Sequence, residues 1–251
     1  MRNLKFVLEY DGSRYFGFQR QKKQATIQAA FEEAASRFFN RKIKITAASG
    51  RTDTGAHAVH QVVNLKIKTF RTSDQILKGM NHFLPRDIAV RQVTEEVAGF
   101  HARYDVKDKT YEYRIWNQEV RSPLLPPDVY HFNRVLDLKA MRRAVCALTG
   151  RHDFKAFCGA QGLERGERGK RGTVRTLKKA VILKSGPFIR IRFQADGFLN
   201  HMVRNMVGTL LEVGTGKRRA GDIGKILLSG DRRHAGAAVP AKGLVLTEVR
   251  Y

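Results

Sequence analysis

Apolar and polar residues change period repeatedly along the chain, and each change marks an element. "NLKFVLEYD" alternates and closes on Asp11-Gly12, which predicts a strand and a turn. From Thr26 the apolar residues Ile27, Phe31, Ala34 and Phe38 recur at helical spacing. Thr26 can cap that helix and Asn40 can end it. "KIKITAA" reads as a short strand. "HAVHQVVNLKIK" reads as another, with Val59, Gln61, Val63, Leu65 and Ile67 on one face. Thr72 or Ser73 caps a short helix through Ile76, Leu77 and Met80; Pro85 stops it, and "DIAVRQVTEEV" returns as a strand.

The second half repeats the order. "KTYEYRIWN" is a strand with Tyr111, Tyr113 and Ile115 on one face. A helix starts at Asp137, turns Leu138, Met141, Val145 and Leu148 inward, and ends at Gly150. "TVRTLKKAVILK" and "PFIRIRFQAD" are strands meeting at Ser185-Gly186-Pro187. The apolar helix "FLNHMVRNMVGTLLEV" follows, then a shorter one around Ile223 to Leu228, and "LVLTEVR" closes the chain as a strand. Both halves carry the β-α-β-β-α-β order of a split βαβ unit. The expectation is an α+β protein of two ferredoxin-like subdomains with antiparallel or mixed sheets. They span residues 1–104 and 105–251, with the boundary between His101 and Lys107. No residue-level repeat relates them.

Charge changes the picture most. Among 251 residues, 47 Lys and Arg face 23 Asp and Glu, a net charge of +24. Such an excess repels itself unless a polyanion is the usual neighbour, which points to nucleic acid. No apolar run approaches the roughly 20 residues that span a bilayer. Lys5 and Glu9 interrupt the N-terminal segment, which therefore lacks a signal-peptide core. A cytoplasmic protein without a membrane partner is expected. Residues 159–173 hold five glycines and four basic residues with no apolar face, which reads as a flexible loop and equally as a basic arm that orders on RNA. Cys146 and Cys158 lack metal-site spacing. Cys146, inside an amphipathic helix pattern, is expected buried or half-buried.

The chemistry concentrates in "SGRTDTGAHA", residues 49–58. Its D-T-G-A string also occurs in aspartic proteases. Those need two carboxylates sharing one proton, and the motif occurs once here. Arg51, two residues before Asp53, works against a shared proton and favours the charged carboxylate that a nucleophile requires. An Asx-turn is the simpler reading of an Asp flanked by glycines. A loop gathering Arg, Asp and His between two strands of a basic protein weighs against it. His57 and His60 have no nearby Cys or Glu cluster to complete a metal site, so no metal is expected. Tyr111 suits the core of an alternating strand, and its ring would equally stack on an extruded base. Arg204 falls at the edge of the apolar arc of its helix, where it either snorkels or holds a carboxylate in a cleft. Lys22, Lys23, Arg41, Lys42, Arg142 and Arg143 are candidate phosphate contacts and equally plain surface charges.

"YDGSRYFGFQRQ", "GRTDTGAHA", "KTYEYRIWN", "GFLNHMVRNMVGTL" and "VPAKGL", in this order and spacing, resemble the tRNA pseudouridine synthase A family over nearly the whole chain. The resemblance implies two ferredoxin-like subdomains about a central basic cleft, a homodimer, and no cofactor or metal. It implies isomerisation of uridines to pseudouridine at positions 38–40 of the tRNA anticodon stem-loop. Carried over by position, Asp53 is the nucleophile and Arg51 helps hold the flipped nucleotide. Tyr111 stacks on the target base and can accept a proton. Arg204 pairs with the catalytic carboxylate, and Leu244 packs near the uracil. Ala56 stands where the family usually has valine, and Val239 where it usually has alanine. Both are apolar exchanges; Val239 bears on packing near the base. The rival class is a non-catalytic RNA-binding protein on the same fold.

Overall fold

The computed structural model describes residues 1–159 and 172–251. Most of the 159–173 segment lies outside the described residues. The chain divides into two compact units, Met1–Lys107 with Val245–Tyr251, and Asp108–Leu244.

The first unit contains β1 (Arg2–Tyr10), α1 (Ile27–Phe38), β2 (Ala47–Ala48), β3 (His57–Ile67), α2 (Ser73–Phe83) and β4 (Ile88–Glu96). β1 lies between β4 and β3, antiparallel to both. Thr26 caps α1 through the Ala29 N–H, and Thr72 and Gln75 close a reciprocal capping box on α2. Phe31 of α1 meets Phe6 of β1 edge-on at 5.3 Å. Asn81 of α2 holds β4 through both backbone groups of Val90, each at 2.8 Å.

Three expectations change here. The strand over 42–48 shrinks to Ala47–Ala48. Side chains of α1 take the backbone donors instead: Ser36 Oγ accepts from the Ile43 N–H at 2.9 Å, and Glu32 Oε1 from the Ile45 N–H at 3.1 Å. β3 is covered on both faces over 61–65, so Val62 and Asn64 are as buried as Gln61 and Val63, whereas Val59 is exposed. The strand β10 (Leu244–Arg250), expected in the second half, joins the first unit from Val245 onward. It pairs in parallel with β3, Val245 opposite His57 and Leu246 opposite Ala58.

The second unit contains β5 (Asp108–Asn117), β6 (Tyr130–Phe132), α3 (Leu138–Cys146), β7 (Gly150–Asp153), β8 (Val174–Ser185), β9 (Phe188–Ala195), α4 (Met202–Gly214) and α5 (Asp222–Ser229). Its strand order is β6-β5-β9-β8-β7, with β6 parallel to β5 and the other pairs antiparallel. Each unit therefore holds a mixed sheet with helices, an α+β architecture. β6 and β7 are additions to the expected order. α4 begins at Met202 rather than Phe198, because His201 adopts the left-handed conformation (φ 57°) that breaks a helix. Asp137 caps α3 through the Ala140 N–H. Cys146 is exposed, contrary to expectation, because Met141, Ala144 and Val145 occupy the inward arc and leave it beside Arg142 and Arg143 on the outer one. Cys158 is buried. No helix among the described residues is long and apolar enough to cross a membrane.

Candidate active site

The loop between β2 and β3 carries Arg51 and Asp53, and its backbone is held at almost every residue. Ser49 N–H donates to Val62 O (2.8 Å), and Gln61 Nε2 donates to Gly50 O (2.9 Å). Phe18 N–H donates to the Thr52 carbonyl (3.1 Å), and the buried Thr52 hydroxyl pairs with Tyr10 Oη (2.8 Å). Ala56 N–H closes the turn on Asp53 O (3.1 Å), and Gly55 N–H reaches Tyr15 O (3.2 Å). Burial pushes the Tyr10 phenol far up, against its bonds with Thr52 and Gln61, so it stays protonated.

Two glycines of "YDGSRYFGF" make this approach possible. Gly17 has φ +80°, and a Cβ there would sit 2.7 Å from Thr52 O. A Cβ on Gly12 would sit 1.9 Å from Ala56 O. Within this frame Arg51 and Thr54 are exposed and Asp53 is half-buried. Buried His57 lies beneath: its Nδ1 accepts the Gly12 N–H (3.2 Å) and stands 3.1 Å from an Asp11 oxygen. The first contact requires an unprotonated Nδ1 and the second a protonated one, so they belong to alternative states of the ring. Burial would raise the Asp11 carboxyl, but the Ser13 hydroxyl and N–H, with His57 and Arg14, hold it below its usual range.

The second unit carries the other three residues. Tyr111 on β5 faces Phe193 of β9 and meets Phe198 edge-on at 5.1 Å; it is 7% exposed. Arg204, half-buried on the first turn of α4, donates through Nε to Val239 O (2.7 Å), while Val239 N–H returns to Arg204 O (3.3 Å). Leu244 is buried. Tyr113, fully buried, donates its hydroxyl to Pro240 O (2.7 Å). A Cβ on Gly243 would strike its ring at 2.8 Å. Asn205 ties two further segments, donating to Phe157 O (2.7 Å) and accepting from Arg232 Nη2 (3.0 Å). Arg232 also binds Ala235 O (3.0 Å). The stretch from Ala235 to Leu244 is thus pinned to α4 and β5.

Tyr113, Asn205 and Arg232 were not singled out by the sequence reading. Buried Asn205 and Thr209 inside an otherwise apolar helix are the signal that was available. His60 has a structural partner, accepting the Val249 N–H at 3.1 Å, and burial lowers it. Lys22, Lys23, Arg41, Lys42, Arg142 and Arg143 are all exposed. Among the described residues no three His, Cys, Asp or Glu side chains converge as a metal site.

A family model described as tRNA pseudouridine synthase matches residues 7–105 and 144–251, which include the Asp53 loop and α4. The chain belongs to that family, a family of isomerases. It is 40% identical over 251 residues to tRNA pseudouridine synthase A of Acetivibrio thermocellus, covering 100% of both chains. It is 40% identical over 249 residues to that of Geobacillus kaustophilus, covering 99% of this chain and 94% of the relative. It is 41% identical over 251 residues to tRNA pseudouridine synthase A 2 of Clostridium perfringens, again covering 100% of both.

Proposed function

We propose that the protein converts uridine to pseudouridine at positions 38–40 of the tRNA anticodon stem-loop, with Asp53 as the nucleophile. The observation that carries the reading is the clamped loop. Its backbone is fixed through Phe18, Tyr10, Tyr15 and Gln61, while the Asp53 side chain stays partly open to solvent. A carboxylate held this way is pre-positioned for attack on a nucleotide brought out of its stack.

The reaction breaks the bond between ribose C1′ and uracil N1, turns the detached base, and joins C1′ to C5. The C5 proton is released and N1 gains one, so no electrons are exchanged and no cofactor is needed. Arg51, exposed beside Asp53, holds the displaced nucleotide. Tyr111 stacks on the base, worth about 1–3 kcal/mol by analogy with single-strand platforms, and is the candidate proton acceptor that the resemblance implies. Arg204 pairs with the carboxylate. Its Nε bond to Val239 fixes the side chain and, with Tyr113, sets the approach to Leu244, the residue against the uracil. We read the chain as two ferredoxin-like subdomains, residues 1–104 and 105–251, from the β-α-β-β-α-β order of each half of the sequence, and the +24 net charge supports a basic binding cleft.

The full-length relatives support tRNA as substrate, and a cytoplasmic homodimer accords with the resemblance. A monomer by light scattering at working concentration rules out the dimer. The reaction is tested by mapping pseudouridine in unmodified tRNA after incubation with purified protein. Asp53→Asn should keep tRNA affinity within a few-fold and lose product formation. Near wild-type turnover by that variant removes Asp53 as nucleophile; no product from wild type favours the rival reading of a non-catalytic RNA-binding protein.

A further inference from the structure

The seam between α1 and α2 in the first unit presents an aromatic and cationic edge that the reaction does not use. Phe38, on the last turn of α1, is pressed onto α2 where Gly79 has no side chain; a Cβ there would lie 2.0 Å from the Phe38 ring. Arg71 lies over the Phe38 ring at 4.6 Å, and Arg37 over Phe83 at 4.9 Å. Arg41 Nη2 donates to Lys68 O at 2.8 Å, drawing that arginine to the same edge. Among the described residues Arg37, Arg41, Lys68 and Arg71 form no ion pair, whereas the acids nearby are engaged: Asp74 with Lys78 and Glu95 with Arg2, each at 2.9 Å. Glu33, one turn before Arg37 on α1, is exposed. The three arginines are thus oriented by rings and a carbonyl, and with Lys68 they leave their charge for an anion.

Phe70 stands in the middle of this edge and is 98% exposed. Its backbone is not loose. Arg2 Nη1 donates to Arg71 O (2.6 Å), Arg71 N–H to Thr69 Oγ1 (3.2 Å), and Thr72 N–H to Gln75 Oε1 (2.9 Å) within the capping box. A solvated aromatic ring on a fixed backbone, between Lys68 and Arg71, combines a stacking face with phosphate-binding charge.

The distance to Asp53 can be read along α1. Ile27 and Gln28 at its start bond to Gly17 and Phe18, and Phe18 bonds to Thr52. The 12 residues of α1 then cover about 18 Å to Phe38. That length spans several base pairs of an A-form RNA helix whose flipped nucleotide sits at Asp53. We infer that Phe70, with Arg41, Lys68 and Arg71, forms a second RNA-docking surface that holds the body of a tRNA beyond the segment being modified. The inference rests on the tRNA reading above.

The experiment compares full-length unmodified tRNA with a short hairpin carrying only the target loop, by fluorescence anisotropy and pseudouridine yield. Phe70→Ala should weaken binding of full-length tRNA about 5- to 100-fold and leave the hairpin's binding and turnover unchanged. Phe70→Trp, which keeps a stacking face, should bind full-length tRNA like wild type. Arg41→Gln, Lys68→Gln and Arg71→Gln together should lower the slope of log K against log salt by about 2–3 on full-length tRNA. Unchanged affinity in Phe70→Ala, an equal loss on both RNAs, or a change of oligomeric state with RNA affinity intact overturns the inference. No pseudouridine from wild-type protein overturns the reading of the reaction and leaves the binding comparison to stand by itself.

Discussion

Replacing Gly208 with alanine should destabilise the protein, although helix propensity predicts the opposite. Gly208 lies inside α4, where alanine is favoured by about 1 kcal/mol. A Cβ there would lie 1.8 Å from Ala237 O, a backbone atom that cannot rotate away. A carbon–oxygen contact needs about 3.3 Å, so α4 and the 235–240 stretch must part by roughly 1.5 Å. That motion breaks the Gly236 N–H bond to Thr209 Oγ1 (2.9 Å) and the two bonds between Arg204 and Val239 (2.7 and 3.3 Å). At about 0.5–1.5 kcal/mol each, less the propensity gain, the net loss is about 0.5–3.5 kcal/mol. Urea unfolding followed by Trp116, the single tryptophan, reports on the same unit. With a slope of about 2–3 kcal/mol/M the midpoint should fall by roughly 0.2–1.8 M, and activity should fall with it because Arg204 and Leu244 are displaced. Gly224 in α5 is the control: nothing lies within 4 Å of its Cβ position, so Gly224→Ala should raise the midpoint slightly. A Gly208→Ala protein as stable as wild type would refute the packing argument.

Tyr113→Phe removes the 2.7 Å bond from a buried hydroxyl to the carbonyl of Pro240, an exposed residue. It should cost about 0.5–1.5 kcal/mol in urea unfolding and lower kcat/KM, while tRNA affinity changes little. Glu112 gives a pH test. Burial would raise its carboxyl, but Arg192 (2.8 Å) and Arg114 (2.9 Å) outweigh that and hold it below its ordinary value. The unfolded chain then takes up the proton first. The stabilisation is complete above the ordinary carboxyl value and is lost as pH falls through the lowered one. Glu112→Gln should therefore be less stable than wild type at neutral pH, with a flatter decline of the urea midpoint on acidification; parallel declines would show that Glu112 is not the group responsible.

What was legible in the chain is what is decided locally. The caps at Thr26, Thr72 and Asp137 were readable because each side chain bonds a backbone donor within three residues. The inward arcs of α1 and α3 followed from spacing alone. The misses share a non-local cause. Residues 43–46 lost their strand to side chains of α1, and β10 found its partner in β3, far away in the sequence. β6 is three residues long and exists only through its pairing with β5. The site divides in the same way. Asp53 and Arg51 stood out through composition and spacing in one short loop. Tyr113, Asn205 and Arg232 act through partners 27 to 127 residues distant, and their pairing is visible only in three dimensions.

The parallel seating of β10 on β3 also bears on how the chain is made. The first unit is complete but for one strand once Lys107 has been synthesised, yet Val245 follows almost 140 residues later. At about 5–20 residues per second, that is roughly 7 to 30 seconds. Through that interval the start of β3, immediately after the Asp53 loop, awaits the strand that Val245 and Leu246 will lay along it. The His60 acceptor for Val249, the Arg250 carbonyl that receives the Lys107 N–H, and the Ala102 carbonyl that receives the Tyr251 hydroxyl all wait for the same segment. The nascent chain therefore completes the half that carries the Asp53 loop only after the other half, and truncation before Val245 would spoil that first half rather than the one just translated.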